Sequence, residues 1–484
     1  MTTVDEKAGT GDAVQVAVLV HHPAQQFVHG FRLLANSPEL RVRTYFWDAA
    51  SEGMFDPGFG RHVRWEADLH SGYDWWSPPR MKLGWRRWSE VLRQLRHDRP
   101  EVVLCYGWGC PIAKVGILFS RMTGTPILYY GDSNRRTAND RWRAGLSGLA
   151  RRVVLRSAAG AISIGAANRD FYLAHGLRPD QVHDGVLPAD VESFAAAAAD
   201  RRARDHAPVI DRPLIIGFAG KFIAIKAADD LIEAAARLPR DRRWELWLVG
   251  DGAERARLEN LVTRRGLAER VRFLGFRNTN EMPDLIAAMD VLVMPSRREP
   301  RGLVAVEAMA AEVATIVSSA TGVWGPGDLV QHKHTGLVYP VGNIPALTSW
   351  LRRLLEDDAF RTALAARGQA RALACGPQDF ATTTTAALLA TVRRAAASAS
   401  AGRPPRSRRR VMSPGIDAPA NTTRVRELLS PHGHSFCNAE LPPDTRRPPE
   451  ELPAALLSLP PQGATRPSSE PLPTTHQRLP GSKQ

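Results

Sequence analysis

Short unbroken apolar runs alternate along this chain with longer stretches in which apolar residues recur every three or four positions. The runs have the length of buried strands and the longer stretches have the period of helices. In the first half, strands are expected over 14–20, 42–46, 102–105, 127–130 and 160–164, with helices over 27–34, 111–121, 142–157 and 167–175. A second series has strands over 214–219, 245–249, 271–274, 291–294 and 314–318, with helices over 228–238 and 253–265. Three more helical segments follow, over 344–355, 359–374 and 378–395. Strands that alternate with helices imply parallel sheets covered on both faces. The chain therefore reads as α/β, with two doubly wound, Rossmann-like domains over 12–194 and 213–377. A linker or irregular helix joins them over 195–212.

Two stretches break the pattern. From 47 to 99 it loosens, and Trp75, Trp76, Trp85 and Trp88 are interleaved with Arg80, Lys82, Arg86, Arg87, Arg93 and Arg96. Aromatics among cations suit a membrane interface or an extended glycan, and equally a helix with one core face and one solvated basic face. Over 398–484 the chain turns rich in Pro, Arg and Ser without a sustained period, which predicts a disordered tail. Its run Arg406–Arg410 is either a contact for an anionic surface or plain solvated charge.

Composition narrows the class. At 484 residues and 44% hydrophobic content the chain can bury more than one core. The four cysteines, Cys105, Cys110, Cys375 and Cys437, are too few and scattered for a disulfide framework or a zinc site. The first residues carry no basic, apolar leader, and no run reaches membrane-spanning length, so a cytoplasmic protein is expected. The formal charge of +14 favours acidic partners such as nucleotide phosphates or the anionic inner membrane face, where peripheral contact is left open. Nucleic acid is not an expected partner.

The richest stretch is 294–311, MPSRREPRGLVAVEAMAA. It leaves a buried strand, passes Pro295, Pro300 and Gly302, and enters a helix marked by Leu303, Val306 and Ala310. The N-terminal turn of such a helix offers N–H groups and a positive dipole end, which suit a diphosphate. Glu299 in the loop and Glu307 on the helix bracket that position, and a carboxylate can accept hydrogen bonds from a ribose or sugar diol. The strand over 214–219 delivers Gly220 and Lys221, with Lys226 before the next helix. Two ammonium groups at a strand end can neutralise a departing diphosphate.

These residues, in this order, resemble the retaining nucleotide-sugar glycosyltransferases of family 4. The resemblance covers about 12–396 and is strongest over 214–340. It implies the GT-B fold, two Rossmann-like domains facing a cleft, with the segment over 378–397 crossing back onto the first domain. It implies that Glu299 faces the donor sugar, that Gly302, Leu303 and Val304 offer backbone N–H groups to the diphosphate, and that Glu307 holds the ribose. Gly220, Lys221 and Lys226 resemble the family's Gly-Arg…Lys phosphate element, with lysine in the place of arginine. Phe276 and Arg277, in FLGFR, resemble the nucleobase segment. Gly250-Asp251-Gly252 resembles a Gly-x-Gly turn that also serves as a tight connection, and Gly322 resembles a glycine turn near the donor sugar.

The departures are equally definite. HHPAQQ, with His21 and His22, replaces a glycine pair after the first strand, and Gly131-Asp132-Ser133 stands where a histidine is usual. Asp132 is a candidate for the acceptor hydroxyl or the donor sugar, or caps a turn. Arg301 replaces a phenylalanine, and Glu312-Val313-Ala314 replaces Gly-x-Pro. The activity so implied is transfer of a sugar from a nucleotide-diphosphate donor to a hydroxyl of a glycan, lipid or small molecule. Catalytic candidates are Glu299, Lys221, Lys226 and Asp132. No cofactor or metal is expected, because no Asp-x-Asp pair ends a strand and the lysines supply countercharge. Another GT-B activity, such as a nucleotide-sugar epimerase or an inverting transferase, and a non-catalytic nucleotide-sugar-binding protein are the alternatives.

Overall fold

The computed structural model describes residues 13–49, 54–56, 58–59, 61–63, 68–79, 84–134, 136, 152–204 and 212–400. The expected tail over 398–484 lies almost wholly outside these residues, as do Arg406–Arg410, Cys437 and most of the helix expected over 142–157. Two sheets carry the chain. The first contains β1 (Val14–Val20), β2 (Leu40–Phe46), β5 (Asp74–Trp76), β6 (Val102–Tyr106), β7 (Ile127–Gly131), β8 (Gly160–Ser163) and β9 (Val182–Asp184), in the order β5-β2-β1-β6-β7-β8-β9. The second contains β10 (Leu214–Ala219), β11 (Trp244–Val249), β12 (Val271–Gly275), β13 (Val291–Met294), β14 (Ala314–Ser318) and β15 (Leu337–Tyr339), in the order β12-β11-β10-β13-β14-β15. Every pairing within both sheets is parallel. A separate antiparallel hairpin, β3 (Met54–Asp56) with β4 (Arg61–Val63), springs from the first domain.

Both faces of each sheet are covered, which is why the strands read as continuous apolar runs. On one side of the first sheet Val16, Val18 and Val20 pack with Phe27 and Phe31, and on the other Ala17 and Leu19 pack with Val91, Leu95 and Phe119. The same alternation places Ile216 and Phe218 against Leu231 and Trp350, and Leu292 and Met294 against Val306 and Met309. The Trp- and Arg-rich stretch resolves at its end into a helix, Gly84–Asp98, whose Val91 and Leu95 are buried while Trp85 stays exposed.

Two segments tie the domains together. The stretch after Asp190 is a regular helix, Val191–Arg204, whose Phe194, Ala197 and Ala198 pack into the second domain's core beside Met289 and Val306. Arg201 caps that docking by donating to Met289 O at 3.0 Å. The helix Pro377–Ser400 packs against the first domain: Phe380 stands 5.6 Å from the Tyr130 ring, and Arg394 donates to Ala159 O at 3.0 Å. Gly30 makes room for it, since a Cβ there would lie 2.5 Å from Phe380. Among the described residues no helix is long and apolar enough to cross a membrane.

Candidate functional site

The strand order itself marks a site. From β10 the chain runs outward to β11 and β12, then returns to the other side of β10 with β13. The carboxyl ends of β10 and β13 therefore flank a switch point, where open parallel sheets leave a crevice. Gly220 and Lys221 leave β10, and the loop with Glu299 leaves β13. The first sheet has its own reversal between β1 and β6, with His21 and His22 following β1.

Lys226 sits in a single 3₁₀ turn, Ala224–Lys226, which Arg297 braces from the neighbouring loop. The Arg297 backbone donates to Ile225 O at 2.8 Å, and its guanidinium donates to Ala224 O at 2.7 Å and to Asp230 at 2.7 Å. So held, the Lys226 ammonium forms an ion pair with the buried Glu299 carboxylate. Glu299 is fixed from its backbone too, because Gly322 N donates to Glu299 O at 2.9 Å.

Past Pro300 the chain turns through Gly302 at φ +81° into the helix Leu303–Ala310. A Cβ at Gly302 would meet Met294 Sδ at 2.5 Å, so both the left-handed backbone and the close approach require glycine. The first turn's N–H groups, from Leu303 and Val304, have no carbonyl within their own helix to bond. Leu303 also packs against the first domain's core, so this turn lies at the seam between the domains. Glu307, half-buried on the same helix, has its carboxyl pushed up to about 7 by burial, with the Asp190 charge adding to it.

The opposite wall carries Asp132, after β7. Burial pushes its carboxyl up to about 6; a backbone hydrogen bond and Arg301 pull it down, and Glu299 pushes it up. Asp132 thus shares an electrostatic neighbourhood with Glu299 from the other domain. Asn134 locks the two loops by donating to Pro300 O at 2.8 Å, and Asn168 donates to Ser133 O at 2.6 Å. His21 is pushed down to about 4 by burial, then by His22, and so stands neutral with a buried Nδ1 that has no hydrogen-bond partner. His22 is lowered by burial as well, its ring 5.8 Å from that of His21.

On the outer side lie the candidates for a base. Phe276 is half-buried, while Arg277 is exposed, with its guanidinium on Glu281 at 3.1 Å and Leu274 O at 3.1 Å. Lys221 parts company with Lys226: its ammonium stands 5.0 Å over the ring of Phe59, at the tip of the β3–β4 hairpin. The structure thus pairs Lys226 with Glu299, sets Asp132 within electrostatic reach of Glu299, and runs from the Glu299 loop through Gly302 into the helix of Leu303, Val304 and Glu307, while Lys221 and Phe276 meet at Phe59.

Sequence reasoning missed Phe59, Arg297, Asp190 and Arg136. Arg136 lies 3.8 Å over the Trp324 ring and donates to Trp324 O at 2.7 Å, another bond across the domains. A lone aromatic between glycines in DPGFGR was the available signal for Phe59. The departures also find their places. Arg301 is buried in an ion pair with Asp328, and Glu312, which departs from the glycine of the resemblance, adopts φ +57°, with its carboxylate paired to Arg202. Cys105, Cys110 and Cys375 are buried free thiols.

Comparison with known proteins bears on the family and the fold. Residues 200–371 match the family model of the glycosyl transferases group 1. The alpha-D-kanosaminyltransferase of Streptomyces kanamyceticus is 30% identical over 295 residues, spanning 57% of this chain and 74% of that protein. The 2-deoxystreptamine glucosyltransferase of the same organism is 34% identical over 228 residues, 46% of this chain and 55% of that protein. Among solved structures, HepE of Anabaena in complex with UDP and glucose superposes with a TM-score of 0.56 at 20% identity, covering 80% of this chain and 100% of that one. The fold is GT-B.

Proposed function

Since the chain belongs to the glycosyl transferases group 1 family, and is a glycosyltransferase, we propose that it is a retaining enzyme of family 4. It takes a sugar from a nucleotide-diphosphate donor and passes it to an acceptor hydroxyl. One observation carries this reading: the Lys226–Glu299 ion pair at the β10/β13 switch point, beside the N-terminus of the helix Leu303–Ala310.

The chemistry follows from that placement. As the bond from the sugar's anomeric carbon to the diphosphate oxygen breaks, negative charge grows on the leaving oxygen. Lys226, Lys221 and the N–H groups of Leu303 and Val304 stabilise it, a role for which preorganised donors are worth most in a water-poor cleft. Glu299 accepts hydrogen bonds from the donor sugar, and Glu307 from the ribose. Asp132 faces the same space from the first domain, on the acceptor's side. With two ammonium groups as countercharge, no metal is required.

The first acceptor to try is 2-deoxystreptamine, which the name of one relative supplies. The decisive experiment screens UDP-, GDP- and ADP-sugars by thermal shift, since a ligand that binds only the folded state raises the melting temperature. Turnover of the stabilising donor is then followed in the presence of EDTA. A protein that no nucleotide sugar stabilises refutes the donor reading. Loss of turnover with EDTA refutes the metal-free one.

A further inference from the structure

The donor candidates Lys221 and Phe276 sit in the second domain, and among the described residues Phe59 of the first domain touches both. Phe59, at the tip of the β3–β4 hairpin, meets the Phe276 ring edge to face at 5.0 Å and 85°. The Lys221 ammonium covers its face at 5.0 Å. The neighbouring carbonyl, Gly58 O, lies where a Cβ on Gly252 would come within 2.8 Å of it. Gly252 therefore owes its place in Gly250-Asp251-Gly252 partly to the hairpin that docks on it. A second tether crosses close by, from Thr279 Oγ1 to Gln25 Oε1 at 3.2 Å.

We propose that Phe59 is a donor-recognition residue: the hairpin tip completes the nucleotide pocket, and its ring stacks on the nucleobase of a nucleoside diphosphate. The inference rests on the donor reading and deepens it. A two-stranded hairpin with three-residue strands is marginal by itself, so its position depends on what its tip touches. Here the tip touches the phosphate-binding candidate Lys221 and the base candidate Phe276 and sits half-buried over both.

Lys221 gives the contact its logic. An ammonium over an aromatic face is held by the ring quadrupole, a weaker attraction than a diphosphate offers. When a diphosphate arrives, Lys221 exchanges the ring for phosphate oxygen and leaves a π-face open beside Phe276. A base fills that face without hydrogen-bond readout, because every base has a π-face. Phe59 therefore adds affinity for nucleosides as a class and leaves the choice of base to other groups. Because the ring belongs to the first domain, occupying it also draws the two domains together over the donor.

The test measures binding of UDP and of inorganic pyrophosphate to the full-length protein by calorimetry, in wild type, Phe59→Ala, Phe59→Leu and Phe59→Trp. Loss of one base stack weakens binding on the order of tenfold. Phe59→Ala and Phe59→Leu should both weaken UDP about tenfold while binding pyrophosphate at least as tightly as wild type, since Lys221 no longer has a ring to leave, and Phe59→Trp keeps UDP affinity. Phe59→Leu preserves the apolar volume of the tip, so a shared loss in both variants reports the ring's π-face and not hairpin packing. UDP affinity unchanged in both overturns the proposal. Tighter UDP binding in Phe59→Ala also overturns it, since the ring would then be a plug that the donor displaces. If UDP, GDP and ADP all fail to bind the wild type, the donor reading falls and this inference falls with it.

Discussion

Arg301 and Asp328 form an ion pair with N–O 2.8 Å, in which the two side chains are 8% and 1% exposed. Asp328 uses its other oxygen to accept from Ala166 N at 3.0 Å, at the start of a first-domain helix. A buried pair in the second domain thus holds the first. Truncating one member of such a pair leaves an uncompensated charge and costs about 3–5 kcal/mol. Asp328→Ala should therefore lower the melting temperature sharply, with Arg301→Met restoring part of it in the double variant. Equal melting temperatures for wild type and Asp328→Ala would show that the pair contributes nothing.

Phe380 makes a second prediction about the same seam. It is fully buried against Gly30 and Tyr130, although its helix follows the second domain in sequence. Phe380→Ala removes a large side chain from the first domain's core and should cost about 3–5 kcal/mol. Hydrogen exchange localises the effect: amides of β1 and β6 should lose protection more than those of β10 and β13. The reverse order would place the helix's main support in the second domain.

How much of this was legible follows from which forces act locally. Strands buried on both faces announce themselves as apolar runs, so β1, β10, β13 and β14 were readable to within a residue. The three-residue strands β5, β9 and β15 and the β3–β4 hairpin carry too few positions for any period. The loop at Glu299 and the turn at Lys226 were readable as candidates, but their ion pair was not, because a contact across two strand ends leaves no mark on spacing. Arg301 showed only as a departure from the pattern of the resemblance; its meaning waited on its buried partner Asp328, a contact that leaves no mark on spacing. Phe59 was hidden for the same reason, since its partners Lys221 and Phe276 belong to the other domain.

The Lys226–Glu299 pair separates binding from turnover. Lys226→Ala removes the proposed leaving-group cation and leaves Glu299 buried without this partner, so turnover should fall roughly 10²-fold or more, with weaker nucleotide diphosphate binding. Lys221→Ala should weaken nucleotide diphosphate binding and turnover too. Glu299→Gln keeps the size of the side chain and should lower kcat strongly while changing nucleotide affinity little. NMR of the product should show the donor's anomeric configuration retained. Inversion at that carbon would remove the family 4 reading, and a Glu299→Gln defect confined to KM would make Glu299 a binding residue only.

Glu307 yields the pH dependence. Burial, with Asp190 adding to it, raises its carboxyl from 4.5 to about 7 in the folded protein. Between those values the folded state holds a proton that the unfolded state releases, so this group's contribution to stability falls as pH climbs from 4.5 to 7 and is level above. On the proposed reading the ribose hydroxyls donate to this carboxylate, so nucleotide binding favours the ionised form and expels the proton. Nucleotide affinity should accordingly rise with pH below about 7, by up to about tenfold per unit for one coupled proton. Nucleotide phosphates titrate in part of this range as well, and Glu307→Gln isolates their share, because it cannot ionise yet keeps the shape. Calorimetry of UDP binding at pH 6 and pH 8, in buffers of different ionisation enthalpy, should show more proton release at pH 6 in wild type than in Glu307→Gln. The variant should also bind UDP more weakly at pH 8. Identical pH slopes and proton counts in the two proteins would place the ribose away from Glu307.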